Sequence, residues 1–364
     1  MVRTELTAGD GILLLGFEGP LSVSRMGVMG RGLVGQGLEV VHSFRLMPVM
    51  AIRSPLGETA SGSLDLPGLS FVEPNGQVLA LETVPWGVER VGAPAVQRQF
   101  TGVGVSVAIL DTGIDSRHED LRVLGGASFV GGDHEDRNGH GTHVAGTVAG
   151  LGTRRGVVGV APGARLYAVK VLDDQGVGTW LSVARGIEWA VRNNLRVLNL
   201  SLGSPQASRT LELACQEAED AGLLLVGAAG NSGDPGGAES SVNYPAAFEQ
   251  VVAVAASDRA NRRAPWSSTG RQVELIAPGT DILSTTPGNR YTQLSGTSMA
   301  CPHVSGSAAL VWSAAPELSA RQVRQILGAT AENLGMNRDA QGRGLVRVDR
   351  AVEEAGRQSR SRTP

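Results

Sequence analysis

Apolar residues along this chain fall in short blocks, and the character of those blocks changes near residue 80. Between positions 11 and 78 the runs ILLLGF, LEVVHSF, VMAIRS and LSFVE are separated by polar and turn-forming stretches, and a Gly-rich helix is predicted over 23–35. This reads as a small α+β unit. A Gly/Ser-rich break and the segment EPNGQVLALETVPWGVE follow, with Pro85 and Gly87 marking irregular chain, so the boundary falls near Ala80.

From Gly104 onward the runs VSVAIL (105–110), RLYAVKVL (165–172), RVLNLS (196–201), LLLVGAA (223–229) and VVAVAA (251–256) lack polar alternation. Strands of this kind fit a parallel sheet covered on both faces. Helices are predicted between and after them over 141–149, 181–193, 211–221, 299–314 and 320–330. Alternating strand and helix predicts a doubly wound α/β domain, with polar chemistry collected at the carboxyl ends of the strands. The organisation is therefore residues 1–80, residues 81–355, and a polar tail GRQSRSRTP over 356–364 expected to be mobile.

Composition narrows the function classes. With 364 residues and 41% hydrophobic content the chain can bury one large core and a small extra domain. A formal net charge of −3 and 18% charged residues give no basic field for nucleic acid or an anionic membrane. No stretch approaches the about 18–20 apolar residues of a membrane span. The GILLLGF run ends at Glu18 without a small-residue cleavage pattern, so no signal peptide is recognised in this numbering. Cys215 and Cys301 make no disulfide framework and read as free thiols. Lys170 is the single lysine, every other basic side chain of the Lys/Arg pair being arginine.

Candidate chemistry lies where apolar runs end. Asp111 follows VSVAIL and opens DTGID; its ordinary reading is a turn-forming aspartate before Gly113. His140 lies in RNGHGTHVAG beside His143, which is the better candidate for a satisfied core histidine, and the pair has no third ligand at metal-binding spacing. Asn231 closes LLLVGAAGN, where an amide can donate to a developing oxyanion or simply serve a turn. Ser298 stands in LSGTSMACPHVSG ahead of a predicted helix, whose free amides favour negative charge. A serine hydroxyl needs a base to become a nucleophile, and the group supplies nucleophile, base, orienter and oxyanion donor on one sheet.

The segments DTGID, HGTHVAG, AAGN and GTSMACPHVSG resemble the four signature segments of the subtilisin-like serine endopeptidases, the subtilases of peptidase family S8, and residues 83 to about 355 share that pattern. The resemblance implies a subtilisin-like three-layer α/β fold with a mainly parallel sheet. It implies that Asp111 orients His140, that His140 is the general base and then acid, that Ser298 attacks, and that Asn231 with the Ser298 amide holds the oxyanion. Gly176, Val177 and Gly178, with Ser201, Leu202 and Gly203, resemble two backbone rails that take an extended substrate as an added strand. Such rails imply broad specificity. Ala228, Ala229, Gly230 and Asn243 fall at the primary specificity pocket, whose small walls imply an apolar or aromatic preference.

The same resemblance implies a structural calcium, with ligand places at Glu82, Asp120, Leu151, Thr153, Arg155 and Val157, partly through backbone carbonyls. Thr153 stands where the family usually has asparagine, and Arg154 and Arg155 add positive charge. The first 80 residues resemble the family's propeptide, a ferredoxin-like α+β inhibitor that assists folding and is removed by self-cleavage, here at Ala80–Leu81; a permanently attached accessory domain is the alternative. Expected partners are protein and peptide substrates and the chain's own propeptide, acting on a monomer. A propeptide favours export, while the missing signal peptide favours the cytoplasm. Met299 and Cys301, next to Ser298, predict sensitivity to peroxide and mercurials. Two rival readings are a peptide-binding protein that retains the fold without catalysis, which the intact catalytic positions oppose, and a dinucleotide-binding enzyme. The latter fails because the glycines of TGVGVSV precede a strand instead of following one.

Overall fold

The computed structural model describes residues 12–19, 23–35, 38–44, 48–53, 66–74, 83–153, 156–237 and 240–360. It divides into two units, Met1–Ala80 and Leu81–Pro364.

In the first unit the apolar runs become β1 (Ile12–Phe17), β2 (Glu39–Ser43), β3 (Val49–Arg53) and β4 (Leu69–Pro74), with α1 (Val23–Gly35) after β1. The sheet order is β2-β3-β1-β4 and its pairs are antiparallel. Leu13, Leu15 and Phe17 alternate along β1 and meet Met50 and Ile52 of β3 and Met29 and Leu33 of α1, a period-2 strand face closed by one helix. This is the α+β arrangement the sequence predicts.

The second unit begins with two short helices, α2 (Trp86–Arg90) and α3 (Ala93–Gln97). Then come β5 (Ser106–Asp111), β6 (Val123–Ser128), α4 (His140–Ala149), β7 (Arg165–Lys170), α5 (Trp180–Arg192), β8 (Val197–Leu200) and α6 (Arg209–Asp220). The chain continues through β9 (Leu224–Ala228), β10 (Val251–Ser257), β11 (Val273–Pro278), β12 (Ile282–Thr286), β13 (Arg290–Leu294), α7 (Thr297–Ala314), α8 (Ala320–Ala329), α9 (Arg338–Gln341) and α10 (Val348–Arg360). Seven strands make a parallel sheet in the order β11-β10-β9-β8-β5-β7-β6.

Both faces of that sheet are covered, which is why its strands read as unbroken apolar runs. Val107 and Ile109 of β5 face a core shared with Val144 and Val148 of α4 and Val304, Ala308 and Val311 of α7. Ala108 and Leu110 face the other way, against Val183 and Ile187 of α5 and Leu211 and Cys215 of α6. The result is the three-layer α/β fold.

Elements missing from the sequence reading have weaker patterns. β6 is a Gly-containing, partly exposed edge strand, and β12 with β13 forms a polar antiparallel hairpin. The tail differs from expectation: residues 356–360 continue α10. Its Val348, Ala351, Val352 and Ala355 are buried at the spacing of one helix face, while Arg357 pairs with Glu353 and Glu354 outside. Among the described residues, no helix is long and apolar enough to cross a membrane.

Candidate active site

Asp111 ends β5, the strand from which the chain runs to β7 and β6 on one side and to β8 through β11 on the other. That reversal point at the carboxyl edge is where open α/β sheets place ligands. Its carboxylate is fully buried, and Oδ1 accepts hydrogen bonds from His140 Nδ1 at 2.7 Å and from the Thr112 amide at 2.7 Å. Oδ2 is buried with no partner among the described residues.

His140 is the first residue of α4, and the following glycine lets the helix start come this close to β5. A Cβ on Gly141 would lie 2.1 Å from the Gly113 carbonyl oxygen and 3.1 Å from Asp111 Cβ. With Nδ1 donating to Asp111, the neutral ring keeps Nε2 as an acceptor. Burial by itself lowers the pKa of His140, but the charge and hydrogen bond of Asp111, helped by the charge of Asp136, outweigh it and hold the pKa above the ordinary value. His143, one turn on, donates to the Ile282 and Thr292 carbonyls, and burial pushes its pKa down to about 4, so it is the neutral core histidine the sequence suggested.

Ser298 lies in the first turn of α7. Pro302 has no amide to give the carbonyl four residues before it, which is that of Ser298. Ser201 Oγ fills the gap, donating to this carbonyl at 2.9 Å, and Ser298 Oγ donates to the Ser201 carbonyl at 3.2 Å. Asn199 Nδ2 in turn donates to Ser201 Oγ at 2.8 Å.

Asn231 follows β9. Its Oδ1 accepts from both the amide and the hydroxyl of Thr297, each at 2.9 Å, so Nδ2 is the end left for a ligand. A point at the Cβ position of Gly296 is 3.5 Å from Asn231 Nδ2 and 3.6 Å from the Ser298 amide nitrogen, so both nitrogens border one space. Both belong to groups the sequence singled out. Such an arrangement can stabilise an oxyanion.

Gly176, Val177, Gly178, Ser201, Leu202 and Gly203 line one cleft of about 770 Å³ together with His140. Trp180, Val183, Leu211 and Tyr244 line the same cleft, although the sequence reading passed over them; the signal was the apolar i, i+3 pair at 180 and 183. Of the residues expected at the specificity pocket, Ala228 and Ala229 have side chains that belong to the core, and the Ala229 carbonyl accepts the Asn243 amide at 2.8 Å. Gly230 has a φ of +116°, and a Cβ there would stand 2.9 Å from Asn243 Nδ2. A side chain at 230 would therefore fill the space beside Asn243.

The proposed calcium loop comes together, but as hydrogen-bond donors. Asp120 Oδ1 accepts from the Thr153 amide at 2.7 Å and hydroxyl at 3.1 Å, and Oδ2 from the Val157 amide at 2.7 Å. The Leu151 amide donates to the Asp120 carbonyl, and the Thr153 and Val157 carbonyls accept from Gly156 and Gly152. Among the described residues this donor set satisfies the Asp120 carboxylate with two amides and a hydroxyl, whereas a calcium centre needs oxygens facing the metal. Among the described residues no cluster of three or more His, Cys, Asp or Glu is placed to hold a metal. Glu82 and Arg155 lie outside the described residues, as do Ala80 and Leu81.

The thiol expectation is corrected. Cys301 is fully buried, its Sγ donating to Asn199 Oδ1 at 3.3 Å and the Val226 carbonyl at 3.2 Å, and burial pushes its pKa up to about 12. A thiol so held is closed to mercurials in the folded protein. Lys170, 3% exposed, donates to the Thr112 carbonyl at 2.5 Å and to Asp174 Oδ1 at 2.8 Å, tying the strand of Asp111 to the loop that carries Gly176.

The sequence matches the subtilase family, peptidase S8, over residues 102–345. The thermostable alkaline protease of Halalkalibacterium halodurans is 49% identical over 319 residues, 87% of this chain and 86% of that protein. Subtilisin DY of Bacillus licheniformis is 50% identical over 275 residues, 75% of this chain and 100% of that protein. Subtilisin Savinase of Lederbergia lenta is 51% identical over 274 residues, 74% of this chain and 99% of that protein. With half of its residues shared over the full length of subtilisin DY, and with this fold, the chain belongs to the subtilase family and is a serine-type endopeptidase.

Proposed function

We propose that the chain hydrolyses peptide bonds through an acyl-enzyme on Ser298. The observation that carries the reading is the 2.7 Å bond between His140 Nδ1 and Asp111 Oδ1 at the reversal point of the sheet, beside the helix start bearing Ser298. The Ser298 side chain turns from the Ser201 carbonyl toward His140 Nε2, which takes the hydroxyl proton as Oγ attacks the scissile carbonyl. Asp111 holds the ring in the tautomer that leaves Nε2 free and stabilises the imidazolium that forms. Asn231 Nδ2 and the Ser298 amide receive the oxyanion. His140 then protonates the leaving amine, and water repeats the sequence to release the acid and regenerate the hydroxyl.

An extended peptide lies between the rails 176–178 and 201–203, read mainly through its backbone. Specificity is accordingly broad, with an apolar preference at the pocket beside Gly230 and Asn243. The first unit is a self-processed propeptide, cleaved at Ala80–Leu81, and the mature enzyme works outside the cell. This is supported by the alignment with the alkaline protease, since its 319 residues exceed what residues 81–364 can supply and so reach into the first unit. Calcium is no part of the proposal, because Asp120 is already satisfied by its loop.

Mass spectrometry of wild type and Ser298→Ala, beside casein hydrolysis, tests the reading. The variant is expected to remain full length and inactive. Processing at the same bond in the purified variant would refute self-cleavage, and residual casein hydrolysis near wild-type rate would refute the nucleophile.

A further inference from the structure

Arginines gather at a place the reaction does not use. At the amino-terminal edge of the seven-stranded sheet, opposite the edge that carries Asp111, a cavity of about 580 Å³ is lined by Arg271, Arg324, Arg338 and Arg343 against Glu249 and Glu274. On a chain with a formal net charge of −3 this is a local excess of positive charge. Arg324 of α8 is neutralised by Glu274, its Nε donating to the two carboxylate oxygens at 3.1 and 3.0 Å and its Nη2 to one of them at 2.6 Å. Arg271, Arg338 and Arg343 are exposed, and among the described residues their side chains have no ion pair and no hydrogen bond. Glu249 stands beside them in the cavity, so the free side chains still leave an excess that a doubly charged anion would match.

The backbone fixes where Arg343 can be. Its amide donates to the Glu274 carbonyl at 2.7 Å, and the carbonyl of the next residue, Gly344, accepts the Ile276 amide at 3.0 Å, which pins this turn along β11. Gly342 permits the approach: its φ is +61°, and a Cβ there would collide with the Glu274 carbonyl. The stem of Arg343 then lies over Gly328 of α8, where a Cβ would stand 2.5 Å from its Cδ and 3.1 Å from its Nε. A guanidinium placed in this way needs little ordering when a ligand arrives. Its planar fork of N–H donors suits the paired oxygens of a phosphate or carboxylate better than a single halide.

We propose that this cavity binds a small multivalent oxyanion, of phosphate or carboxylate type, with Arg343 as the preplaced contact and Arg271 and Arg338 as its partners. The bound anion would tie the start of β11 to α9 and to the turn that follows it, through three charges that otherwise repel one another. The site is separate from the cleft beside His140, and its occupancy does not depend on the nucleophile.

Isothermal titration calorimetry of the full chain at constant ionic strength tests this, with inorganic pyrophosphate and citrate as probes. One saturable site with a Kd below about 1 mM is expected for at least one probe, and the tighter of the two identifies the phosphate or the carboxylate class. Arg343→Gln is expected to weaken binding about tenfold or more, the loss of one charge-assisted contact. Gly328→Ala keeps every charge but pushes the Arg343 stem aside, and it is expected to weaken binding as well. Arg209→Gln, an exposed arginine of α6 paired with Glu212, is expected to leave the affinity unchanged. Thermal midpoints without anion show which variants fold, and Arg338→Gln replaces Arg343→Gln if the latter does not. Absence of saturable binding of both probes up to about 10 mM overturns the proposal, as does an unchanged affinity in the folded arginine variant. Wild-type affinity in a folded Gly328→Ala, or an equal loss in Arg209→Gln, would assign the binding to the general field of the surface and overturn the site.

Discussion

Ser201 and Ser298 exchange hydrogen bonds: the Ser201 hydroxyl donates to the Ser298 carbonyl at 2.9 Å, and the Ser298 hydroxyl donates to the Ser201 carbonyl at 3.2 Å. A proposed substrate rail and the proposed nucleophile are therefore one hydrogen-bonded unit. Ser201→Ala leaves the Ser298 carbonyl and Asn199 Nδ2 without their partner, so it is expected to cost about 1–3 kcal/mol in urea unfolding. Stability equal to wild type would mean that these groups find another partner.

Asn231→Ala removes one of two donors aimed at the oxyanion space. A loss of about 10²–10³ in kcat with little change in KM is expected, a scale carried over from the equivalent donor of subtilisin. Thr297→Val removes the hydroxyl that holds Asn231 Oδ1 and is expected to lower kcat by less. Steady-state kinetics on one peptide substrate compares the two, and a rise in KM alone would assign Asn231 to ground-state binding.

The pH profile follows from His140. Its pKa lies above the ordinary histidine value because Asp111, assisted by Asp136, outweighs burial, and the base works only when unprotonated. Activity is therefore lost as pH falls through the raised pKa, and the acid limb of kcat/KM should have its midpoint above about 6.5. A midpoint well below that value would show that burial dominates.

Glu332 accepts from Arg90 at 2.9 and 3.0 Å and from Arg347 at 2.8 Å, joining α2 to the segments that flank α10. The Arg90 hydrogen bonds, with those of Arg347 and both charges, outweigh burial and hold its pKa down to about 2 from an ordinary 4.5. A carboxylate with a depressed pKa stabilises the fold above its unfolded value and loses that contribution as pH falls through the folded one. Glu332→Gln is thus expected to cost about 2 kcal/mol at pH 7. In urea titrations the gap from wild type should close between about pH 4.5 and pH 2; a constant gap would rule out the ionic contribution.

Chelation probes the Asp120 loop. Because Thr153 and Val157 already satisfy the carboxylate, EDTA is expected to leave the thermal midpoint within about 2 °C, whereas loss of a tightly bound ion lowers it by several times that. A large fall would assign the loop to a metal.

Two of the proposed catalytic positions were legible because each follows a buried apolar run, so the sequence displays both the strand and the polar residue it delivers. Asp111 and Asn231 are of this kind, while His140 and Ser298 stand at the starts of small-residue helices. The surround of Asp111 and His140 was not legible, since the Thr112 hydroxyl reaches Asp136 across 24 residues, a bond that no local period encodes. The environment of Cys301 was hidden for a related reason: it stands three residues after Ser298 in sequence, while its thiol turns into the core toward Asn199 and Val226. α10 is faint in the sequence because its buried face is only Val348, Ala351, Val352 and Ala355 in an otherwise charged and polar segment.

The single lysine has a practical consequence. Lys170 is 3% exposed and both its recorded bonds lie within the fold, so the described surface offers amine-directed reagents no side-chain ammonium. Acylating labels, aldehyde crosslinkers and reducing sugars therefore reach this lysine only where the fold opens around β7.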